Sequence, residues 1–224
     1  MTFNVTTKIN QQIVSREQIL AKELERSRVA LLLLKEKLGA DNIRELLAED
    51  CAEMAELLRQ WSKNSTTYKP SITLLEVEDL SKEEFLGWFH QINQDNQQAK
   101  LLGAMPEHYL IEPKDNSQEL IETMGLYGKP VHCQLIFADP EQADIPLDPD
   151  YETQMFVKGV HIDNGEDIHI RALHEFKNTA TGMQVKLGIY FPEHTPDEMV
   201  TGHQWHLAIE FNNWLEQAKA DLGK

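Results

Sequence analysis

Two alternating runs near the end of the chain constrain its fold most: Ile168–Phe176 and Met183–Phe191, joined by Lys177-Asn178-Thr179-Ala180-Thr181-Gly182. Successive side chains of a strand point to opposite faces, so Ile168, Ile170, Ala172, His174 and Phe176 share one side of the first run. Met183, Val185, Leu187, Ile189 and Phe191 share one side of the second. The pair reads as an antiparallel hairpin with a strongly apolar inner face, on which His174 is the one polar residue. A helix follows, from Met199 to about Leu222, carrying Trp205, Ile209, Phe211, Trp214 and Leu215. Strands that must bury one face, followed by one long helix, predict an α+β domain with the helix laid across a curved sheet.

Upstream the period changes from two to between three and four. Ser15 can cap a helix with apolar positions Ile19, Leu20, Leu24, Val29, Leu31 to Leu34 and Leu38. Gly39 ends it and Asp41 caps a second, striped by Ile43, Leu46, Leu47, Cys51, Met54, Leu57, Leu58 and Trp61. This is a helical hairpin, and the polar joint Asn64–Pro70 sets it off as a unit over residues 1–66, with the rest of the chain, 67–224, as the second. Residues 29–34, Val-Ala-Leu-Leu-Leu-Leu, are apolar around more of the helix than one core-facing stripe requires, which predicts a homodimer through the N-terminal helices. Beyond the joint, Ser71–Val77 reads as a strand. Asp79-Leu80-Ser81-Lys82-Glu83-Glu84 reads as a capped helix start that turns Phe85, Trp88, Phe89 and Ile92 inward. Val131–Phe137 is another strand. Ala138–Tyr151, rich in Asp and Pro, is a loop without the glycine placement of an EF-hand.

The charge balance removes whole classes of partner. With 21 basic against 37 acidic residues the formal net charge is −16, which argues against nucleic acid and anionic membrane surfaces. Cys51 and Cys133 make neither a disulfide framework nor a Cys-type zinc site, so a reducing, cytoplasmic setting is expected. The longest purely apolar run, Val29–Leu34, is too short to span a bilayer.

His206 and Glu210 stand at i and i+4 on the last helix, one turn apart on one face, as two ligands of a single metal must. A surface ion pair has the same spacing. His174 strengthens the metal reading, because alternation puts it on the side of the sheet that this helix should cover. His203, three residues before His206, can share that face. His90, His161, His169 and His194 read as ordinary solvated imidazoles.

Several segments resemble, in order, the 2,4-diacetylphloroglucinol hydrolase and phloretin hydrolase family. Gly202-His203-Gln204-Trp205-His206-Leu207-Ala208-Ile209-Glu210-Phe211-Asn212-Asn213-Trp214-Leu215 is similar to the family's closing helix. Ala172-Leu173-His174-Glu175-Phe176 is similar to a strand with a zinc-binding His, and Met105-Pro106-Glu107-His108-Tyr109 to an element with a further ligand. Glu83 to His90 resembles the helix that precedes that element. The resemblance covers about residues 70–218. It implies a helix-grip fold, of the birch-pollen-allergen or START kind, with one zinc ion between sheet and helix. It also implies hydrolysis of the carbon–carbon bond between an acyl group and a phloroglucinol-like ring. Carried over, the zinc ligands are His108, His174, His206 and Glu210.

The family's remaining acidic ligand falls in the strand matching Val131–Phe137, at the position of Ile136, and that strand holds no carboxylate. Tyr109, Tyr127, Tyr151, Tyr190 and His203 are the candidates for gripping or protonating the substrate, with Tyr109, Tyr190 and His203 foremost. The expected partner is a small aromatic ketone or another apolar small molecule. The competing reading is a non-catalytic helix-grip protein that holds such a molecule.

Overall fold

The computed structural model describes residues 5–224. A short hairpin, β1 (Thr7–Ile9) and β2 (Gln12–Val14), leads into the long helical element α1 (Arg16–Ser62). Ser15 caps α1 with a full capping box to Gln18. The two helical segments expected there meet at one residue, Gly39, whose φ of 70° and ψ of 167° break the helix. Then come β3 (Tyr68–Glu78), α2 (Lys82–Gln94) and α3 (Gln98–Gly103). The strands β4 (His108–Lys114), β5 (Ser117–Glu122), β6 (Val131–Ala138), β7 (Thr153–His161), β8 (Asp167–Asn178) and β9 (Gly182–Pro192) follow. The chain closes with α4 (Asp197–Leu222).

Strands β3 to β9 form one antiparallel sheet in the order β3-β9-β8-β7-β6-β5-β4, so the first strand of the sheet pairs with the last. The expected hairpin is β8–β9, with His174 opposite Leu187 and Phe176 opposite Val185. Its inner-face residues Ile168, Ile170, Phe176, Met183, Val185, Leu187 and Phe191 join Met199, Leu207, Phe211 and Trp214 of α4 in one buried core. Each such side chain contributes on the order of 1.5–3 kcal/mol of burial, which is why the helix lies against this face. A seven-stranded sheet gripping a long C-terminal helix is the helix-grip fold.

The inward stripe of α4 is Met199, His203, His206, Leu207, Glu210, Phe211, Trp214 and Leu215. Trp205, read from sequence with the inward set, is 71% exposed, because it lies outside that stripe of three- and four-residue steps. The second segment of α1 packs on the opposite face of the sheet, where Ile43 and Cys51 meet Leu110 and Ile121. Its Met54 and Leu58 reach the main core. Strands β4, β5 and β7 were not legible by alternation. No helix of the described residues is long and apolar enough to cross a membrane.

Candidate metal centre

The site is built where β4 and β5 pair beneath α4. His108 opens β4 directly opposite Glu122, the last residue of β5. A register shift between His108 and Leu110 lets His108 face α4 while Leu110 faces α1. On β5, Gln118, Leu120 and Glu122 face α4 by simple alternation, and Glu119 and Ile121 face away. The turn after β5 then seats against the start of α4. Gly125 (φ 65°) and Gly202 approach so closely that a Cβ on Gly202 would lie 2.1 Å from the Gly125 carbonyl oxygen. Any side chain at either position would push His203 and His206 away from the sheet.

His108 Nε2 and His206 Nε2 are 3.1 Å apart. Glu122 Oε2 lies 3.2 Å from the first and 3.4 Å from the second. Glu210 Oε1 lies 3.3 Å from His108 Nε2. All four residues are buried. The far side of each ring is already engaged. His108 Nδ1 faces the Leu101 carbonyl at 3.4 Å, and His206 Nδ1 faces Glu107 Oε2 at 3.4 Å. Glu107 is held in turn by the Leu126 N–H at 3.0 Å. When neutral, each ring keeps its proton on Nδ1 and presents a bare Nε2 to the centre.

Two bare nitrogens do not rest 3.1 Å apart beside two carboxylates without positive charge among them. The electrostatics respond accordingly. Burial alone would lower His206, but Glu122, Glu107 and Glu210 raise its pKa to about 9. Burial pushes Glu122 up, and the charge on His206 and His108 more than reverses this. Burial raises Glu210, with the imidazoles only partly offsetting it. A proton on His206 therefore occupies the role that a cation would fill.

The donor set fits such a cation. Zinc bonds of about 2.0–2.1 Å set the edges of a tetrahedron at roughly 3.3 Å. The His108–His206 and His108–Glu210 separations are 3.1 and 3.3 Å, and Glu122 adds contacts of 3.2 and 3.4 Å to the two imidazoles while standing outside the mutually close group of three. His108, His206 and Glu210 form a group that could hold a metal ion.

His174 stands apart from these atoms. It shares their cavity, but its ring packs edge-on against Phe211, centroids 5.2 Å apart, and its buried Nδ1 has no partner. Burial lowers its pKa to about 4. His203 lies in the same cavity, 4.6 Å from the His206 ring, also with an unpartnered Nδ1. Burial and the neighbouring His206 lower its pKa to about 3. Both rings line the cavity, and burial keeps both neutral. None of the tyrosine candidates lines it. Tyr109 packs with Ile43, Leu110 and Ile121 under α1, and Tyr190 packs with Phe156 and Leu173 on the face away from α4. Tyr127 packs at a tilt against Trp61, and the Tyr151 hydroxyl donates to Gln184.

Sequence reasoning missed Glu122 and Glu107. The buried carboxylate beside the two imidazoles lies on β5, one strand over from Ile136. Ile136 pairs with Ser117 on the face away from α4 and is 37% exposed. The available signal was Asp115-Asn116, a turn dipeptide midway between Leu110-Ile111 and Leu120-Ile121, which pairs those two segments; the register shift between His108 and Leu110 then brings His108 opposite Glu122.

No protein-family model matches the chain, and no curated protein matches it. Similar solved structures include protein MLL2253 from Mesorhizobium loti, at 10% identity and TM-score 0.39, covering 68% of this chain and 98% of that one. Ara h 8.0201 is 11% identical with TM-score 0.44, covering 68% and 99%. The di-domain ARO/CYC StfQ from the steffimycin biosynthetic pathway is 14% identical with TM-score 0.41, covering 80% of this chain and 57% of StfQ. The helix-grip assignment rests on the strand order and the gripped helix described above.

Proposed function

We propose that the chain is a zinc-dependent hydrolase that cleaves a carbon–carbon bond between an acyl group and a phenolic ring. His108, Glu122, His206 and Glu210 would hold the ion, with Glu107 orienting His206 from behind. The observation that carries this reading is the pair of Nε2 atoms 3.1 Å apart, flanked by two buried carboxylates. Bound there, the ion would polarise a ketone oxygen or activate water.

The chain's own residues supply the rest. His174 and His203 are held neutral in the cavity, so each offers one N–H and one lone pair for hydrogen bonding to a ligand near neutral pH. A ring that leaves as a carbanion must gain a proton on carbon; the proton released by the attacking water balances this step, and His203, beside His206, is placed to hydrogen-bond the departing ring. The apolar walls Leu120, Leu207, Phe211 and Trp214 keep water scarce around these groups.

The test is metal analysis of purified protein followed by incubation of the zinc-loaded form with acylphloroglucinols. Stoichiometric zinc and release of the free acid support the reading. Zinc without turnover of any aryl ketone would leave a metal-bearing binding protein, and no zinc would remove the centre. We also propose that a second copy covers the first segment of α1, where Leu20, Leu24, Val29, Leu33 and Leu34 stay exposed. Sedimentation equilibrium at tens of micromolar should give a dimer for the full chain. A monomer there, or a dimer unaltered by replacing these residues with Glu, ends that idea.

A further inference from the structure

The inner cavity holds only about 100 Å³, room for roughly three waters at liquid density. Pockets for drug-sized ligands are several times larger, on the order of 300–1,000 Å³. A ring-bearing substrate cannot lie wholly inside it. Next to it is an open vestibule of about 900 Å³ between α2, the β4–β5 turn, the end of β6 and the start of β7. Phe89, Gln118, Phe137 and Met155 line both spaces, so these four side chains form the junction.

The vestibule wall has an unusual hydrogen-bond polarity. The amide nitrogen of Asn93 donates to the Phe89 carbonyl at 2.8 Å, and that of Asn116 to the Phe137 carbonyl at 2.9 Å. The Gln154 nitrogen donates to the Tyr151 carbonyl at 2.6 Å. A backbone carbonyl only accepts, so these three orientations are fixed by chemistry. Because Asn93 must turn its oxygen the other way, Gln118 meets it with its nitrogen, at 3.0 Å. The Lys114 ammonium gives one of its N–H groups to Glu119. These carboxamides therefore offer an incoming molecule unengaged oxygens beside the second N–H of each amide nitrogen: Asn116 Oδ1, Gln118 Oε1 and Gln154 Oε1 accept no hydrogen bond among the described residues. Leu86, Phe89 and Phe137 supply apolar surface beside them.

We infer that the vestibule is a second binding subsite, which takes a hydroxyl-donating end of the ligand while the ketone end enters the inner cavity. Gln118, at the junction, selects for the hydroxyl. A hydroxyl can donate to the half-buried Gln118 oxygen as well as accept from an amide N–H, whereas an ether oxygen only accepts and leaves that acceptor unpaired. Only the direction in which the ligand lies rests on the reading of the inner cavity as the reaction centre.

The test uses the full chain, zinc-loaded and chelated, titrated with 4-(4-hydroxyphenyl)butan-2-one and with its methyl ether, following quenching of tryptophan fluorescence. The hydroxyl compound should bind about tenfold tighter, the worth of one well-made hydrogen bond. Gln118→Met and Gln154→Met should each remove most of that preference and leave the ether's affinity within about twofold, with unchanged thermal melts. Equal or tighter binding of the ether to the parent protein overturns the proposal. So does a preference that survives in both variants. If the preference holds in protein that neither binds zinc nor turns over a ketone, the hydrolase reading falls and the subsite stands. The reverse result removes the subsite alone.

Discussion

Glu119 and Glu122 lie three residues apart on β5, both buried, on opposite faces of the sheet. Glu119 is closed off by groups whose charge is permanent. Arg44 reaches its two oxygens at 2.8 and 3.1 Å, Lys114 at 2.8 Å, and His132 adds a contact at 2.9 Å. These hydrogen bonds outweigh the upward push of burial and hold its pKa well below the ordinary carboxylate range. Glu122 meets only imidazoles, at 3.2 and 3.4 Å, with a second carboxylate across the centre. Its charge is balanced only while a proton or another cation is present. One buried acid is a fastener between α1 and the sheet; the other is an open valence. Burial and hydrogen bonding alone do not separate them, whereas the permanence of the opposing charge does.

Removing the open valence should produce the largest effect. His206→Ala or Glu122→Gln should abolish stoichiometric zinc by elemental analysis, and Glu119→Gln should leave it unchanged. Equal loss in all three variants would collapse the distinction, because it would make zinc binding a report on folding alone.

Acid should divide the two faces next. In the unfolded chain His174 and His203 titrate near 6.5, but burial holds them to about 4 and about 3 when folded. The unfolded chain therefore binds more protons below about pH 6.5. The stability these two contribute is complete above that value and is lost as pH falls toward the folded pKa values. Each costs up to about 1.4 kcal/mol per pH unit in that window. Urea melts of chelated protein between pH 6.5 and 5, below the range in which the raised pKa of His206 acts in the opposite sense, should show this slope, and His203→Asn should flatten it by about one proton. A slope unchanged in that variant would mean that His203 is not held neutral.

The fastener comes third. Glu119→Gln leaves Arg44 and Lys114 facing a neutral amide, and Arg44 is partly exposed, so the cost should be about 1–3 kcal/mol in urea unfolding. A loss below about 0.5 kcal/mol would make Glu119 as incidental as a surface pair.

How much of this was legible follows the kind of signal each element carries. The β8–β9 hairpin and α4 could be read because every second residue, His174 excepted, or residues at steps of three and four, are apolar over nine residues or more. His206 and Glu210 came with α4, since helix spacing places both without knowledge of any neighbour. β5 has no such pattern. Ser117-Gln118-Glu119-Leu120-Ile121-Glu122 puts an apolar residue and a Glu on each face, because each face is covered, one by α4 and the other by α1. Which Glu faces His108 and His206 is decided by pairing with β4 and by the bulge after His108, and neither is local. His174 was correctly placed on the inner face, but alternation gives a face and not a depth, and its ring sits against Phe211 instead of among the donor atoms.

The smallest expected effect tests that misplacement directly. Alignment by resemblance put the family's strand carboxylate at Ile136, on β6. Ile136 shares its face with His132 and Gln134, opposite Ser117 and Glu119, so the sheet itself stands between it and His108. Ile136→Glu therefore adds a solvated carboxylate on the α1 side. It should leave zinc stoichiometry and affinity unchanged and shift stability by no more than about 0.5 kcal/mol, as exposed substitutions do. In the Glu122→Gln background it should fail to restore zinc. Restoration there would mean that β6 can slip by one residue and present the new acid inward, because a one-residue slip exchanges the faces of a strand. The pairing of Glu119 with Gln134 and of Ile121 with His132 would then be wrong, and the contrast between the two glutamates would lose its structural basis.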